Sequence, residues 1–169
     1  MSFAQQSSEL SSVTDFDVVA IGGGFSGLYL IHSLREAGFS IKVFEGEGEV
    51  GGVWYKNRYP GLRCDVESLA YCYFFSEELY KEWTWSSRYP RQPEILRYIN
   101  YVADKFDLRK DIQFNTRITA AHYDEANELW QIYLDDNTSV KAKYFIPTVG
   151  GLSAANLPDF KGLNSFEGE

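Results

Sequence analysis

Three glycines and one acid near the start of the chain have the types and the spacing of a dinucleotide-binding site. Gly22, Gly24 and Gly27 form the pattern G-x-G-x-x-G, and Glu45 follows about 20 residues later. In this pattern the first glycine permits a tight turn, the second lets the backbone approach a pyrophosphate, and the third lets a helix lie close to a strand. The acid binds a free ribose 2′-hydroxyl, which favours FAD or NAD over NADP.

The segments around these glycines predict the elements that must position them. Residues 17–21 are an almost continuous apolar run, as in a strand that is covered on both faces. Apolar residues then recur at helical spacing from Leu28 to Leu34, and Gly38 is placed to end the helix. Residues 41–44 form a second apolar run that leads to the acid. Because a parallel pair needs a right-handed crossover, we predict a βαβ unit, and this context argues against an ordinary glycine-rich turn.

The next two regions differ in regularity. Residues 46–85 contain glycine, arginine and many aromatic residues without a periodic pattern. Long irregular loops are usually functional or disordered, and the aromatic content argues against disorder. Residues 92–106 place apolar side chains on one helical face and carry Pro93 and Glu94 in the first turn, which predicts a helix.

The last third of the chain predicts strands. Residues 112–146 alternate between apolar and polar residues around a DDNT turn, which is typical of a small antiparallel meander inserted into the parallel sheet. Residues 143–146 predict a buried strand, with Pro147 at its end because proline cannot donate to a central ladder. We expect residues 1–14 to be a mobile tail and residues 15–169 to form one domain.

Composition excludes several classes of protein. The net charge of −8 over 169 residues argues against a nucleic-acid surface. The start of the chain has neither the basic residues nor the apolar run that are typical of a signal peptide, and no apolar run in the sequence is long enough to span a membrane. The spacing of Cys64 and Cys72 fits no zinc or redox pair, so we expect no metal, reduced thiols and a cytoplasmic protein. An aromatic content of 17% suits a planar cofactor or an apolar substrate as well as a core.

The run GGVWYKNRYPGLRCD at residues 51–65 distinguishes FAD from NAD, because it closely resembles the segment after the first dinucleotide motif in flavin-dependent Baeyer–Villiger monooxygenases of type I. The resemblance continues through residues 65–73, 92–99 and 151–158 and is strongest to the phenylacetone and cycloalkanone monooxygenase branch. It implies an α/β fold: a Rossmann-like, three-layer FAD-binding domain with an inserted antiparallel β-meander, incomplete in this chain.

The resemblance also implies which residues contact FAD. The first glycine turn with Ser26 and the ribose acid would hold the adenine half, and Gly52, Val53 and Trp54 would lie over the isoalloxazine. Asp65 is implied to position a catalytic arginine. The implied contacts are Gly22, Gly24, Ser26, Gly27, Glu45, Gly52, Val53, Trp54, Asp65, Tyr71 and the backbone near Ile118.

The activity that the resemblance implies is oxidation of a ketone to an ester or a lactone. NADPH reduces FAD, O2 then gives a C4a-peroxyflavin, and this attacks the ketone. The family's second G-x-G-x-x-G, for NADPH, and its catalytic arginine have no match in this chain, and residues 166–168 match only the opening of the family fingerprint. We therefore expect the chain to be an N-terminal portion that does not turn over alone and that needs a complementary C-terminal fragment.

Several residues depart from the family pattern or have a simpler interpretation. Lys56 replaces a frequent tryptophan, and Pro147 and Gly151 replace more usual residues. A helix cap is the simpler interpretation of Asp65, since aspartate is common at that position before an apolar stretch. Packing or surface roles are the expected ones for Arg58, Arg63, Trp83, Trp85, Tyr89, His32 and His122.

Three other functional interpretations stay open. One is a flavin monooxygenase that hydroxylates nitrogen or sulfur. Another is a non-catalytic flavin-binding fragment that works with a partner chain. The last is that the sequence simply stops at Glu169 within a longer protein.

Overall fold

The computed structural model describes residues 14–168, so most of the predicted tail at residues 1–14 lies outside the described residues. Six strands, four α-helices and two short 3₁₀ turns, at Arg109–Asp111 and Leu163–Ser165, make up the regular structure. The strands are β1 (Phe16–Ile21), β2 (Ile41–Phe44), β3 (Ile112–Gln113), β4 (Ile118–Asp124), β5 (Leu129–Leu134) and β6 (Ser139–Pro147), and the helices are α1 (Phe25–Glu36), α2 (Val53–Lys56), α3 (Glu77–Glu82) and α4 (Gln92–Lys105).

All six strands belong to one mixed sheet in the order β3-β2-β1-β6-β5-β4. The neighbouring strands among β3, β2, β1 and β6 pair in parallel, and β5 pairs antiparallel with both β6 and β4. The sheet changes from parallel to antiparallel pairing at β6, where Ala142 pairs with Phe16 of β1 on one side and with Trp130 of β5 on the other. The predicted α/β Rossmann-like sheet with an antiparallel meander is therefore confirmed.

Two predictions about the strands were wrong. Ile112 does not belong to the meander, because β3 pairs in parallel with β2 through Val43 and lies at the opposite edge of the sheet. The strand at residues 143–146 is not buried, since Lys143 and Tyr144 are exposed, Tyr144 by 46%. Pro147 ends β6, as predicted.

The βαβ unit at the start of the chain has the predicted form. The β1 and β2 strands pair in parallel, and α1 connects them. The helix ends where the sequence indicates: Gly38 has a φ of +85°, and its N–H donates to the carbonyl oxygen of Arg35 over 2.9 Å. Glycine adopts this left-handed conformation without the steric cost of a Cβ atom.

The core consists of two clusters on the two faces of the sheet. Val18 and Ala20 of β1 belong to the larger cluster, to which α1 and α4 contribute. Val19, between them, belongs to the smaller cluster with Ile132 of β5. This alternation is the consequence of the two-residue period of a strand. The smaller cluster consists only of residues from the strands, and the meander contributes Ile132, Leu134 and Ala142 to it.

The irregular region at residues 46–85 is ordered by aromatic packing and contains the two short helices α2 and α3. Its centre is Tyr98 of α4, whose ring lies 5.0 Å from Trp85, 5.3 Å from Trp83 and 6.1 Å from Tyr73, measured between centroids. The Tyr98 hydroxyl also accepts a hydrogen bond from the N–H of Tyr73 over 2.8 Å. Much of the aromatic content of this region therefore packs the core.

Candidate functional site

A cleft of about 470 Å³ lies at the carboxyl ends of β1 and β2, beside the end of β6. Ile21 and Phe44 end two of these strands and line it, and Thr148 follows the third. In open α/β sheets, ligands bind at the carboxyl ends of the strands. Both the location of the cleft and its volume fit a site for a small molecule or a cofactor.

The first glycine turn forms one wall and has no room for side chains. Gly22 has a φ of +99°, and a Cβ atom there would lie 2.9 Å from the carbonyl oxygen of Thr148. A Cβ atom on Gly27 would lie 1.9 Å from the carbonyl oxygen of Gly22. Real Cβ atoms do not approach so closely, so both positions require glycine. Thr148 holds the turn from behind, because its N–H donates to the carbonyl oxygen of Ile21 over 3.0 Å.

The N-terminus of α1 opens into the same cleft. Gly24 is its N-cap, no side chain caps it, and its first turn contains no acidic residue. The first hydrogen bond of the helix runs from the N–H of Leu28 to the carbonyl oxygen of Gly24, over 3.1 Å. The N–H groups of Phe25, Ser26 and Gly27 therefore have no partner within the helix. Free N–H groups and the helix dipole together favour an anion.

Glu45 is the acid that closes the adenine side of the predicted site, and it is only 7% exposed. One carboxylate oxygen accepts a hydrogen bond from the N–H of Gly23 over 2.6 Å, and the other accepts from the N–H of Glu47 over 2.8 Å. Each oxygen has a second acceptor position. The carboxylate is thus fixed in orientation and still able to accept from a hydroxyl in the cleft.

A second glycine loop, residues 49–54, meets the first. The N–H of Gly51 donates to the carbonyl oxygen of Gly23 over 3.0 Å. A Cβ atom on Gly52 would lie 3.3 Å from the Cα of Gly24. Gly51 and Gly52 have φ values of +131° and +54°. The glycines thus allow two backbone segments to meet at the floor of the cleft.

Aromatic side chains form the remaining wall. Trp54 is buried, and its indole N–H donates to the hydroxyl oxygen of Tyr71 over 2.8 Å. Phe25 packs edge to face against Tyr71 with the ring centroids 4.9 Å apart. Burial raises the pKa of Tyr71, an effect that the hydrogen bond from Trp54 opposes in part. This wall offers apolar aromatic surface next to polar backbone, which suits a ligand with a ring.

Two cations complete the electrostatics of the cleft. Lys56 and Arg117 both line it and are exposed. A guanidinium nitrogen of Arg117 lies 3.3 Å from a carboxylate oxygen of Glu47. These charges balance the acids of the adenine side.

The cleft brings together most of the residues that the sequence indicated. Gly27 packs beneath the first turn instead of lining the cleft, and Asp65 is exposed and does not line it. Asp65 also caps no helix, because the next helix begins at Glu77. The predicted residues that line the cleft are Gly22, Gly24, Ser26, Glu45, Gly52, Val53, Trp54, Tyr71 and Ile118.

The sequence predicts that the glycine turn beginning at Thr148 lets backbone approach a ligand, and Thr148 lines the cleft. Sequence reasoning did not select Thr116 or Arg117, which also line it. Neither residue had a signal, since nothing in their local pattern shows that they lie beside Glu45.

Residues 14–168 contain no group of three or more His, Cys, Asp or Glu side chains that could hold a metal ion. His32 instead stacks on Phe75 with ring centroids 4.1 Å apart, and His122 lies 5.7 Å from Tyr133. None of the described helices has the length and apolar character needed to cross a membrane.

Comparison with known proteins agrees with this geometry. Residues 21–83 match the family of NAD(P)-binding Rossmann-like domains. A Baeyer–Villiger monooxygenase of Pseudooceanicola batsensis is 47% identical over 91% of this chain and 28% of its own length. Phenazine N-monooxygenase of Lysobacter antibioticus is 41% identical over 92% of this chain and 29% of its own length.

Solved structures show the same relationship. A crystal structure of OTEMO in complex with FAD and NADP superimposes with a TM-score of 0.84 at 46% identity, covering 92% of this chain and 29% of that one. The chain thus spans less than one third of the length of these proteins. By the glycine turns, the sheet order and these identities together, it is similar to one part of a Baeyer–Villiger monooxygenase and of a protein solved in complex with FAD and NADP.

Proposed function

We propose that residues 15–169 form an FAD-binding unit of an NADPH- and O2-dependent monooxygenase that converts ketones to esters or lactones. The observation that carries this proposal is the pairing of an uncapped helix N-terminus with a buried, backbone-fixed acid in one cleft. The first suits the pyrophosphate of FAD, and the second suits its ribose. The similarity to Baeyer–Villiger monooxygenases supports the proposed oxidation of ketones with NADPH and O2.

The residues of the cleft divide between the two ends of the cofactor. The N–H groups at the start of α1 would bind the pyrophosphate, and Ser26 can add its hydroxyl there. Glu45 would accept hydrogen bonds from the ribose. Gly52 and Trp54 would lie against the isoalloxazine, and the absence of a side chain on Gly52 lets the backbone of this loop pack against Gly24. When bound, FAD would supply the redox chemistry that links NADPH, O2 and the ketone.

We also propose that Asp65 positions a catalytic arginine. It is exposed and outside the cleft, so its carboxylate is accessible to an arginine from another part of a longer chain. We also propose that the isolated chain does not turn over and that a complementary C-terminal portion supplies the NADPH site. The two free thiols, Cys64 and Cys72, support a cytoplasmic location.

Titration of the purified chain with FAD tests the cofactor assignment. We expect binding, seen as a shift of the flavin absorbance spectrum and quenching of flavin fluorescence. Glu45→Gln should weaken binding by on the order of tenfold or more, because it removes a charged acceptor worth about 1.5–3 kcal/mol. The exposed helical acid Glu36 provides the matched control, Glu36→Gln. The assignment is wrong if FAD does not bind or if the two variants behave alike.

A replacement experiment tests the activity. The chain should substitute for the matching segment of the Pseudooceanicola batsensis enzyme and retain ketone oxidation with NADPH. The chain alone, with NADPH and a ketone, should give no ester above a control without protein. Ester formation by the chain alone would contradict the proposal that it is incomplete.

Oxygenation of nitrogen is the second candidate activity, and the phenazine N-monooxygenase supports it. The cleft does not distinguish the two, because its residues bind the cofactor and not the substrate. Product analysis of the same replacement enzyme with a ketone and with an aromatic N-heterocycle such as phenazine separates them. Exclusive N-oxide formation would favour the second candidate.

A further inference from the structure

The second glycine loop, residues 49–54, depends on contacts from outside itself for its shape. Gly51 and Gly52 both have positive φ values, and glycine backbone loses more conformational freedom on ordering than that of any other residue. Within the loop, only short-range bonds occur, such as that from the N–H of Trp54 to the carbonyl oxygen of Gly51 over 3.1 Å. The contacts that hold the loop must therefore come from neighbouring elements.

One face of α4 provides these contacts. Gln92, Leu96, Asn100 and Asp104 recur every four residues and so share one face of this helix. The side-chain amide of Gln92 donates to the carbonyl oxygen of Trp54. Leu96 lies so close to Gly51 that a Cβ atom there would meet its Cδ1 at 2.7 Å. The first half of this face thus touches the loop directly.

The second half of the face reaches the loop through Arg109. Three nitrogens of its guanidinium group each donate to a different acceptor: Nε to Asp104 over 2.7 Å, one terminal nitrogen to Asn100, and the other to Glu49. The Arg109 side chain is only 28% exposed. Charge-assisted bonds from a planar guanidinium fix direction as well as distance.

Glu49 transfers this constraint to the loop. The carboxylate oxygen that accepts from Arg109 also accepts from the N–H of Val50 over 2.8 Å. Val50 is completely buried and directly precedes the two glycines. A guanidinium anchored on α4 thereby holds the start of the loop whose far side contacts Gly23.

We propose that Arg109 is a positioning residue that holds the second glycine loop against α4 and so controls binding of the flavin end of FAD. The ligand named in this inference, FAD, rests on the proposed function, whereas the contacts of Arg109 do not. Arg109 does not line the cleft, and Glu45 and the first glycine turn hold the adenine end independently of it. Loss of Arg109 should weaken FAD binding without weakening ADP binding.

The test compares Arg109→Gln with Lys110→Gln, which removes the neighbouring and more exposed cation. FAD and ADP are titrated separately by calorimetry, and amide hydrogen exchange of residues 49–57 is measured without any ligand. Arg109→Gln should weaken FAD binding by about tenfold, equivalent to about 1.4 kcal/mol, and leave ADP binding unchanged. It should also accelerate exchange in the loop by a similar factor. Lys110→Gln should change none of these values.

Glu49→Gln removes the same contact from the loop side and guards against a folding defect in Arg109→Gln. The double variant should lose no more FAD affinity than the stronger single variant, because both remove one connection. Unchanged loop exchange, equal weakening of FAD and ADP, or faster exchange throughout the chain in both variants would overturn the proposal. If the wild-type chain binds no FAD but the loop exchange responds as expected, the proposed function fails and the positioning role stands.

Discussion

The indole N–H of Trp54 donates to the hydroxyl oxygen of Tyr71 over 2.8 Å, and the two rings meet at 80° with their centroids 5.7 Å apart. This bond joins the second glycine loop to the aromatic region that follows it. It satisfies the polar atom of a buried tryptophan and presents both rings to the cleft. The wall of the site is therefore built from two segments that each fix the other.

Removal of the Tyr71 hydroxyl should cost stability. In Tyr71→Phe the indole N–H of Trp54 loses its acceptor, and an unpaired buried donor costs about 1–3 kcal/mol. Urea denaturation followed by tryptophan fluorescence measures the loss. Tyr133→Phe is the control, because Tyr133 is 42% exposed. Equal midpoints for the two variants would show that the bond contributes nothing.

Gly27→Ala should prevent the first turn from closing. The added methyl group would meet the carbonyl oxygen of Gly22 at 1.9 Å, so the helix must move away from the strand. Such overpacking costs about 1–3 kcal/mol, and FAD binding should fall with it. Gly151→Ala serves as the control, because nothing lies within 4 Å of that position. Thermal unfolding of both variants decides the matter, and an unchanged melting temperature for Gly27→Ala would contradict the geometry.

Glu45 should discriminate against a ribose 2′-phosphate. Its buried carboxylate would lie next to that phosphate, and two negative charges at close range repel in a site of low polarity. We expect ADP to bind at least about tenfold more tightly than its 2′-phosphorylated analogue, a difference of about 1.4 kcal/mol. Glu45→Gln should reduce this ratio. Calorimetric titration with both nucleotides measures this ratio of affinities. If Glu45→Gln leaves the ratio unchanged, the charge of Glu45 is not the cause of the discrimination.

Alkaline pH should destabilise the fold through Tyr98. Burial raises the pKa of this residue to about 12, compared with about 10 in an unfolded chain. The folded state therefore retains the phenol proton over a range in which the unfolded state has lost it. The stability from this group is fully present below about pH 10 and decreases as pH rises through about pH 12.

Urea denaturation at a series of pH values measures this decline. Tyr98→Phe should decline less steeply, although it starts from a lower stability because it loses the bond to the N–H of Tyr73. Identical slopes for the variant and the wild type would assign the alkaline transition to other residues.

Local patterns explain which parts of the fold the sequence predicted. The α1 and α4 helices and the first glycine turn follow from the spacing of nearby residues, such as Leu28 and Gly38, and the structure confirms them. The assignment of Ile112 to the meander was wrong because alternation indicates a strand but not its partner. The exposure of Tyr144 was missed for the same reason, since composition does not reveal what covers a strand.

The residues of the site also divide into those that a local pattern identified and those that it did not. Glu45 and Trp54 were identified because a motif or a resemblance attaches to their positions. Arg117 and Arg109 were not, because their importance depends on a partner far away in the chain. Glu49 lies 60 residues before Arg109, and no local signal relates them.

The central strand pair has a consequence for synthesis on the ribosome. Thr148 closes the first glycine turn by a hydrogen bond to Ile21, 127 residues earlier in the chain. Contacts between such distant residues form late, since the entropy of a long loop is lost before they contribute. The N-terminal βαβ unit therefore emerges with one side of β1 unpaired until β6 has been synthesised. We expect nascent chains that end before Thr148 to be unable to bind a nucleotide, so the cleft assembles only after β6 has emerged.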